Sequence, residues 1–239
     1  MVSGLAFLAT AVSTLFAQAT LVRWTRRRRP HDLAWAVALA MFALASAALA
    51  TGASTGWDTG TFRAFYLLGA ITNVPWLALG TVYLLLGPAV GRRVQWGLVA
   101  FTGLAFGVML AAPVSPVPTD SIPVGKEVLG ALPRILAAIG SGVGALVIFA
   151  GAAWSALRYL RRREAPGAAR LAAANGLIAL GTLVLSGGGL IQGVVGDDEA
   201  FAISLASGVS VIYAGFLVAA ARDLPARVPS VRPVDVGGA

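Results

Sequence analysis

Side chains able to do covalent, metal or redox chemistry are few in this sequence, and their positions narrow the choice further. His31 is the single histidine and lies just after the arginine run 26–29 and Pro30, so neither an axial haem ligand inside a bundle nor the several donors of a zinc site are at hand. Lys126 is the single lysine and falls between apolar stretches, where it cannot serve as the buried Schiff-base lysine of a retinal protein. There is no cysteine, which excludes disulfides, thiolate nucleophiles and iron–sulfur clusters. No nucleophile–base pair stands out, so the sequence predicts a non-enzymatic protein with no catalytic residue, no metal and no cofactor.

Neutral polar groups inside apolar segments are the remaining candidates. Tyr66, Gly69, Asn73, Trp76, Gly80 and Tyr83 recur at spacings of three and four and share one helix face. Pro75 removes the hydrogen bond to the Ile71 carbonyl and predicts a kink beside Asn73. The freed carbonyl, the amide and the Trp76 indole N–H then make a polar niche at mid-membrane depth. A later segment presents Asn175, Thr182, Ser186 and Gly189 at helical spacing, followed by Gln192, and the first presents Thr10, Thr14 and Gln18. Tyr66, Asn73, Trp76, Asn175, Thr182 and Gln18 are therefore the candidate ligand-binding set, suited to a small neutral or lipid-like ligand in an outward-opening cavity. The competing use of such groups is to hydrogen-bond neighbouring helices.

These groups need a bundle to hold them. The chain of 239 residues is 58% hydrophobic and 12% charged, with a mean hydropathy of +0.82, against about 25% charged in a soluble domain. Seven apolar stretches, 4–22, 33–51, 62–86, 94–112, 135–157, 171–191 and 201–221, are close to the roughly 20 residues that cross a bilayer. The predicted fold is all-α: a polytopic membrane protein built as a single bundle of seven transmembrane helices over residues 1–222. A disordered cytoplasmic tail follows at 223–239, where Pro225, Pro229 and Pro233 break any apolar periodicity. Fifteen of the 18 basic residues follow the first, third, fifth and seventh stretches; Arg63, Lys126 and Arg134 lie on the other side. By the positive-inside rule the N-terminus is outside and the C-terminus inside, in a prokaryotic-type plasma membrane. The same split assigns the net charge of +8 to anionic headgroups at the cytoplasmic face and not to nucleic acid.

No Asp, Glu, Lys or His falls within these seven stretches, which argues against a proton relay. Residues 113–134 form the longest loop, stiffened by Pro113, Pro116, Pro118 and Pro123, with a short interfacial helix expected over 124–132 and the length of a lid or docking surface. Asp197, Asp198 and Glu199 read as a solvated turn opening the last helix. Arg63 is expected to pair with Asp58 or with that acidic cluster, or to snorkel to the headgroups. Gly103 with Gly107, Gly140 with Gly144, and Gly189 with Gly193 form GxxxG pairs of the kind that mark helix contacts. They support the alternative function, a structural or accessory subunit presenting its glycine faces to a membrane-protein partner or to a second copy.

Overall fold

The computed structural model describes residues 1–161 and 167–221; the tail expected at 223–239 lies outside the described residues. The elements are α1 (Val2–Arg27), α2 (Pro30–Thr55), α3 (Thr59–Phe65), a π-helical segment (Tyr66–Thr72), α4 (Asn73–Ala111), α5 (Gly125–Val128), α6 (Ala131–Arg161), α7 (Ala168–Val194) and α8 (Asp198–Ala220). Among the described residues, six helical stretches are long and apolar enough to cross a membrane: α1, α2, the continuous run Thr59–Ala111, α6, α7 and α8. Large apolar side chains such as Trp96, Leu104, Leu146, Trp154 and Leu190 are exposed, as the lipid-facing surface of a multi-pass membrane protein requires.

The run Thr59–Ala111 has 53 residues, about 80 Å if straight, and it is not straight. Gly87 takes φ 81° and ψ 174°, outside the helical region, and Pro88 restarts the helix with its fixed φ. Side chains on the two sides of Gly87 meet. The Tyr83 hydroxyl donates to Gln95 Oε1 at 2.5 Å, and Trp76 Nε1 donates to Thr102 Oγ1 at 3.0 Å, although 26 residues of straight helix would separate the latter pair by about 39 Å. The run is thus a helical hairpin. The connection expected at 87–93 shrinks to one residue, because a glycine with positive φ followed by proline turns the chain without a loop, and Arg92 and Arg93 belong to the returning helix.

Around the molecule the helices close a ring: α1 packs on α2 and α8, α8 on α7, α7 on α6, α6 on α4, and α4 on α2. Small residues set the closest approaches. A Cβ at Gly140 would lie 2.6 Å from the Ile71 carbonyl oxygen and one at Gly144 2.9 Å from Val74 Cγ1, so α6 sits directly on the π-helical segment and the start of α4. Gly181 and Gly208 abut each other's backbone carbonyls at the α7–α8 crossing. The other two GxxxG pairs, Gly103 with Gly107 and Gly189 with Gly193, have nothing within 4 Å of a built Cβ.

Two expectations are corrected by the ends of elements. Helix α2 starts at Pro30, not at residue 33, because proline suits the first helical position, and this brings His31 and Asp32 inside an apolar helix. In place of a helix over 124–132, the stretch 113–134 holds the four-residue α5 and, from Ala131, the first turn of α6, since Leu129 leaves helical geometry to bridge Val114. That loop is packed: Ile122, Val128 and Leu129 are buried with Trp57, Phe62 and Phe201 in the largest apolar cluster. Asp198 accepts hydrogen bonds from the Ile122 N–H and from Gln192 Nε2, tying the loop to α7 and α8. The end of the bundle on this side is therefore covered.

Candidate functional site

The hairpin Thr59–Ala111 is where the chain departs most from regular helix. Asp58 caps α3, its carboxylate accepting from the N–H groups of Gly60 (2.7 Å) and Thr61 (3.0 Å) and from the Thr61 hydroxyl. Those bonds hold the Asp58 carboxyl below its ordinary value, the Thr61 hydroxyl contributing most. The helix then widens into seven residues of π-helix, Tyr66–Thr72. The kink expected at Pro75 takes this form: with no N–H at Pro75, the preceding turns loosen, Asn73 N–H bonds back to Leu68 O, and the Thr72 hydroxyl donates to Leu67 O five residues back at 2.9 Å. Helix α6 meets the carbonyls exposed by this loosening. Ser141 Oγ donates to Ala70 O at 2.6 Å, and Gly140 lies against Ile71 O.

On another side of the same segment lies a pocket of about 310 Å³, at the small end of the roughly 300–1,000 Å³ range of ligand sites. Met41 of α2, Arg63 and Ala64 of α3, Leu67, Leu68 and Thr72 of the π-helical segment, and Thr102, Phe106, Met109 and Leu110 of the returning helix line it. Three lining side chains are polar. Thr102 donates to Leu98 O while accepting from Trp76, and Thr72 donates to Leu67 O. Arg63 donates through Nη2 to Ala112 O at 2.8 Å, while its Nε is buried without an acceptor. Arg63 thus pairs with neither Asp58 nor the acidic cluster; it caps the end of the returning helix.

The expected site residues do not converge on one niche. Asn73 is buried, and its Oδ1 has no hydrogen-bond partner among the described residues. Gly69 and Gly80 on its face abut Ala45 and Trp35 of α2. Trp76 turns to Thr102 at the pocket wall, whereas Tyr66 packs against Gly125 of the loop 113–134. Asn175 and Thr182 donate to carbonyls four residues back in their own helix, Leu171 O and Ile178 O, both at 2.8 Å. Gln18 is exposed on α1. Thr10 and Thr14 likewise bond within their helix, the local solution open to a hydroxyl in an apolar medium.

Sequence reasoning passed over Arg63, Thr72 and Thr102 as pocket residues. The available signal was Arg63 itself, the one cation inside a predicted span. It also passed over Asp32. That carboxylate is fully buried, with Arg23 Nε at 3.5 Å and His31 Nε2 at 3.8 Å and no hydrogen bond to either oxygen among the described residues. Arg23 in turn lies over the Phe216 ring at 4.7 Å, and His31 meets Trp35 edge-on. A proline at the start of a helix with Asp two residues on was the legible cue. Comparison of the chain with protein-family models, with curated proteins and with solved structures finds no match.

Proposed function

We propose that this protein is a non-enzymatic membrane protein that binds a lipid-like ligand in the pocket beside its π-helical segment. The observation that carries the reading is the coincidence of three features: a pocket with almost wholly apolar walls, a seven-residue π-helix forming one wall, and a single charged lining side chain. A π-helix among α-helices is a costly irregularity that recurs at functional sites. The pocket replaces the mid-membrane niche as the primary site, with Trp76 bonded to its wall through Thr102. Entry is from the side, since the loop 113–134 covers the bundle end.

In this reading the hairpin at Gly87 makes two crossings of one run, giving seven transmembrane helices with the N-terminus outside. The arginine-rich helix ends, Arg26 to Arg29, Arg92, Arg93, Arg158 and Arg161 among them, then meet the anionic headgroups of the cytoplasmic face of a prokaryotic plasma membrane. Impermeant labelling of a cysteine placed at Ser121, but not at Thr25, in intact cells is the expected outcome; the reverse pattern contradicts it.

A test of the pocket is equilibrium binding of oleyl alcohol to the detergent-purified full chain, measured above protein-free micelles. Binding should be saturable and should be lost in Ala64→Phe or Leu68→Phe, either of which fills the pocket; binding unaffected by both variants rejects the site. One observation favours the second reading, an accessory subunit or homo-oligomer. Gly103 and Gly107 stand open on a face with exposed Trp96, Val99, Phe106 and Leu110, shaped to receive another helix.

A further inference from the structure

We infer that the ligand of this pocket is a single-chain amphiphile with an acidic headgroup, carboxylate or phosphate, and that Arg63 is the residue that holds that headgroup. The inference rests on the pocket reading above and deepens it. Arginine carries five N–H donors in a fixed fork, and Arg63 makes one hydrogen bond among the described residues, from Nη2 to Ala112 O. Its Nε is buried and has no acceptor. Of the carboxylates on the same bundle end, Asp58 is engaged with Gly60 and Thr61, Asp120 with Thr119, Asp197 with Ala200 N–H, and Asp198 with Ile122 and Gln192, and among the described residues neither these nor Glu127 or Glu199 forms an ion pair with Arg63.

A partly buried guanidinium beside apolar walls, with donors unspent and no counter-ion, is an unfavourable arrangement until an anion meets it. The other polar lining groups do not compete for that role. Thr72 and Thr102 have already given their hydroxyl protons to backbone carbonyls, so Arg63 is the one lining side chain with unspent donors. A neutral headgroup gains one ordinary hydrogen bond here; an anionic one gains charge compensation and two or more. The remaining lining, from Met41 to Leu110, is aliphatic or aromatic and suits a hydrocarbon chain. At about 310 Å³ the pocket seats the headgroup end of one hydrocarbon chain, whose remainder lies along the lipid-facing flank.

The experiment compares three probes of one chain length, oleate, oleyl phosphate and oleyl alcohol, on the full chain in nonionic detergent at a pH where both acids are ionised. Wild type should bind both acids roughly tenfold or more tightly than the alcohol, the factor that one charge-assisted hydrogen bond supplies. Arg63→Gln should bring the acids down to the affinity of the alcohol, whose own binding should shift by no more than about threefold, since the glutamine amide can still donate one ordinary hydrogen bond. Arg63→Lys, which keeps the charge but not the fork, should retain part of the preference. Equal binding of acid and alcohol by wild type overturns the inference and needs no variant to interpret. So does an acid preference that survives Arg63→Gln; Arg63 is then only a helix cap. A saturable alcohol site blocked by Ala64→Phe, with no advantage for either acid, rejects the headgroup assignment and leaves the pocket standing. If no probe binds wild type, or if none is weakened by Ala64→Phe, the pocket reading itself fails and this inference with it.

Discussion

Asp32 is the residue whose environment is most demanding, because a fully buried carboxylate faces Arg23 and His31 at ion-pair distance without a hydrogen bond to either. Removing the partner of a buried charge is worse than removing both members of the pair. Arg23 keeps 28% of its side chain exposed, so Arg23→Ala should destabilise by the low end of the usual range, about 3 kcal/mol. Arg23→Ala combined with Asp32→Leu should recover most of that loss; thermal unfolding in detergent reads both. Asp58 offers a pH test. Its folded-state pKa is depressed by the Thr61 hydroxyl and the Thr61 and Gly60 N–H groups, so its stabilising contribution is present above the unfolded-state value of about 3.9 and is lost as pH falls through the lower folded-state value. Wild type should therefore lose melting temperature on acidification over that interval more steeply than Asp58→Asn. Parallel acid profiles would show that the charge on the cap contributes nothing beyond what an amide supplies.

The three GxxxG pairs show at the scale of elements what a sequence can and cannot say. They are equivalent as spacing, yet Gly140 and Gly144 meet the backbone of the hairpin while Gly103 and Gly107 meet open space, a difference that exists only once the helices are placed. Gly140→Leu should thus overpack the α6 contact at a cost of about 1–3 kcal/mol or more, and Gly103→Leu should leave the melting temperature of the monomer unchanged. Helices were legible because apolar runs of bilayer length have few other solutions. Their irregularities were legible only in part. Pro75 announced a disturbance, but its spread over Tyr66–Thr72 depends on Ser141 and Gly140 arriving from α6 to accommodate the carbonyls of Ala70 and Ile71. Periodicity puts the stripe Tyr66, Asn73, Trp76 on one face of a regular α-helix, a register that the π-helical residues Tyr66–Thr72 interrupt. The stripe's members part company, since Tyr66 packs against Gly125 of the loop 113–134 and Trp76 against Thr102 of a helix that returns only because Gly87 turns the chain. Polar residues of α1 and α7 read as cavity lining because spacing does not reveal that Thr10, Asn175 and Thr182 are satisfied within their own helices.

For the molecule as a whole, a ring of helices covered at one end by a packed loop leaves the flank of the hairpin as the place where a ligand of the membrane can enter. With the pocket as a ligand site, that flank is a specific site and not merely one more stretch of lipid-facing surface. Photo-crosslinking decides between these directly. The full chain, reconstituted in bilayers containing a trace of a diazirine-bearing fatty acid, is irradiated and the adducts are mapped by peptide sequencing. Met109 is the informative position: it lines the pocket yet is only 1% exposed, so a chain that merely coats the protein does not reach it. Adducts concentrated on Met41, Leu68, Phe106 and Met109, and competed away by unlabelled oleate, are the predicted result. Adducts spread over exposed Leu104, Leu146 and Leu190, uncompeted and with none at Met109, would contradict the account.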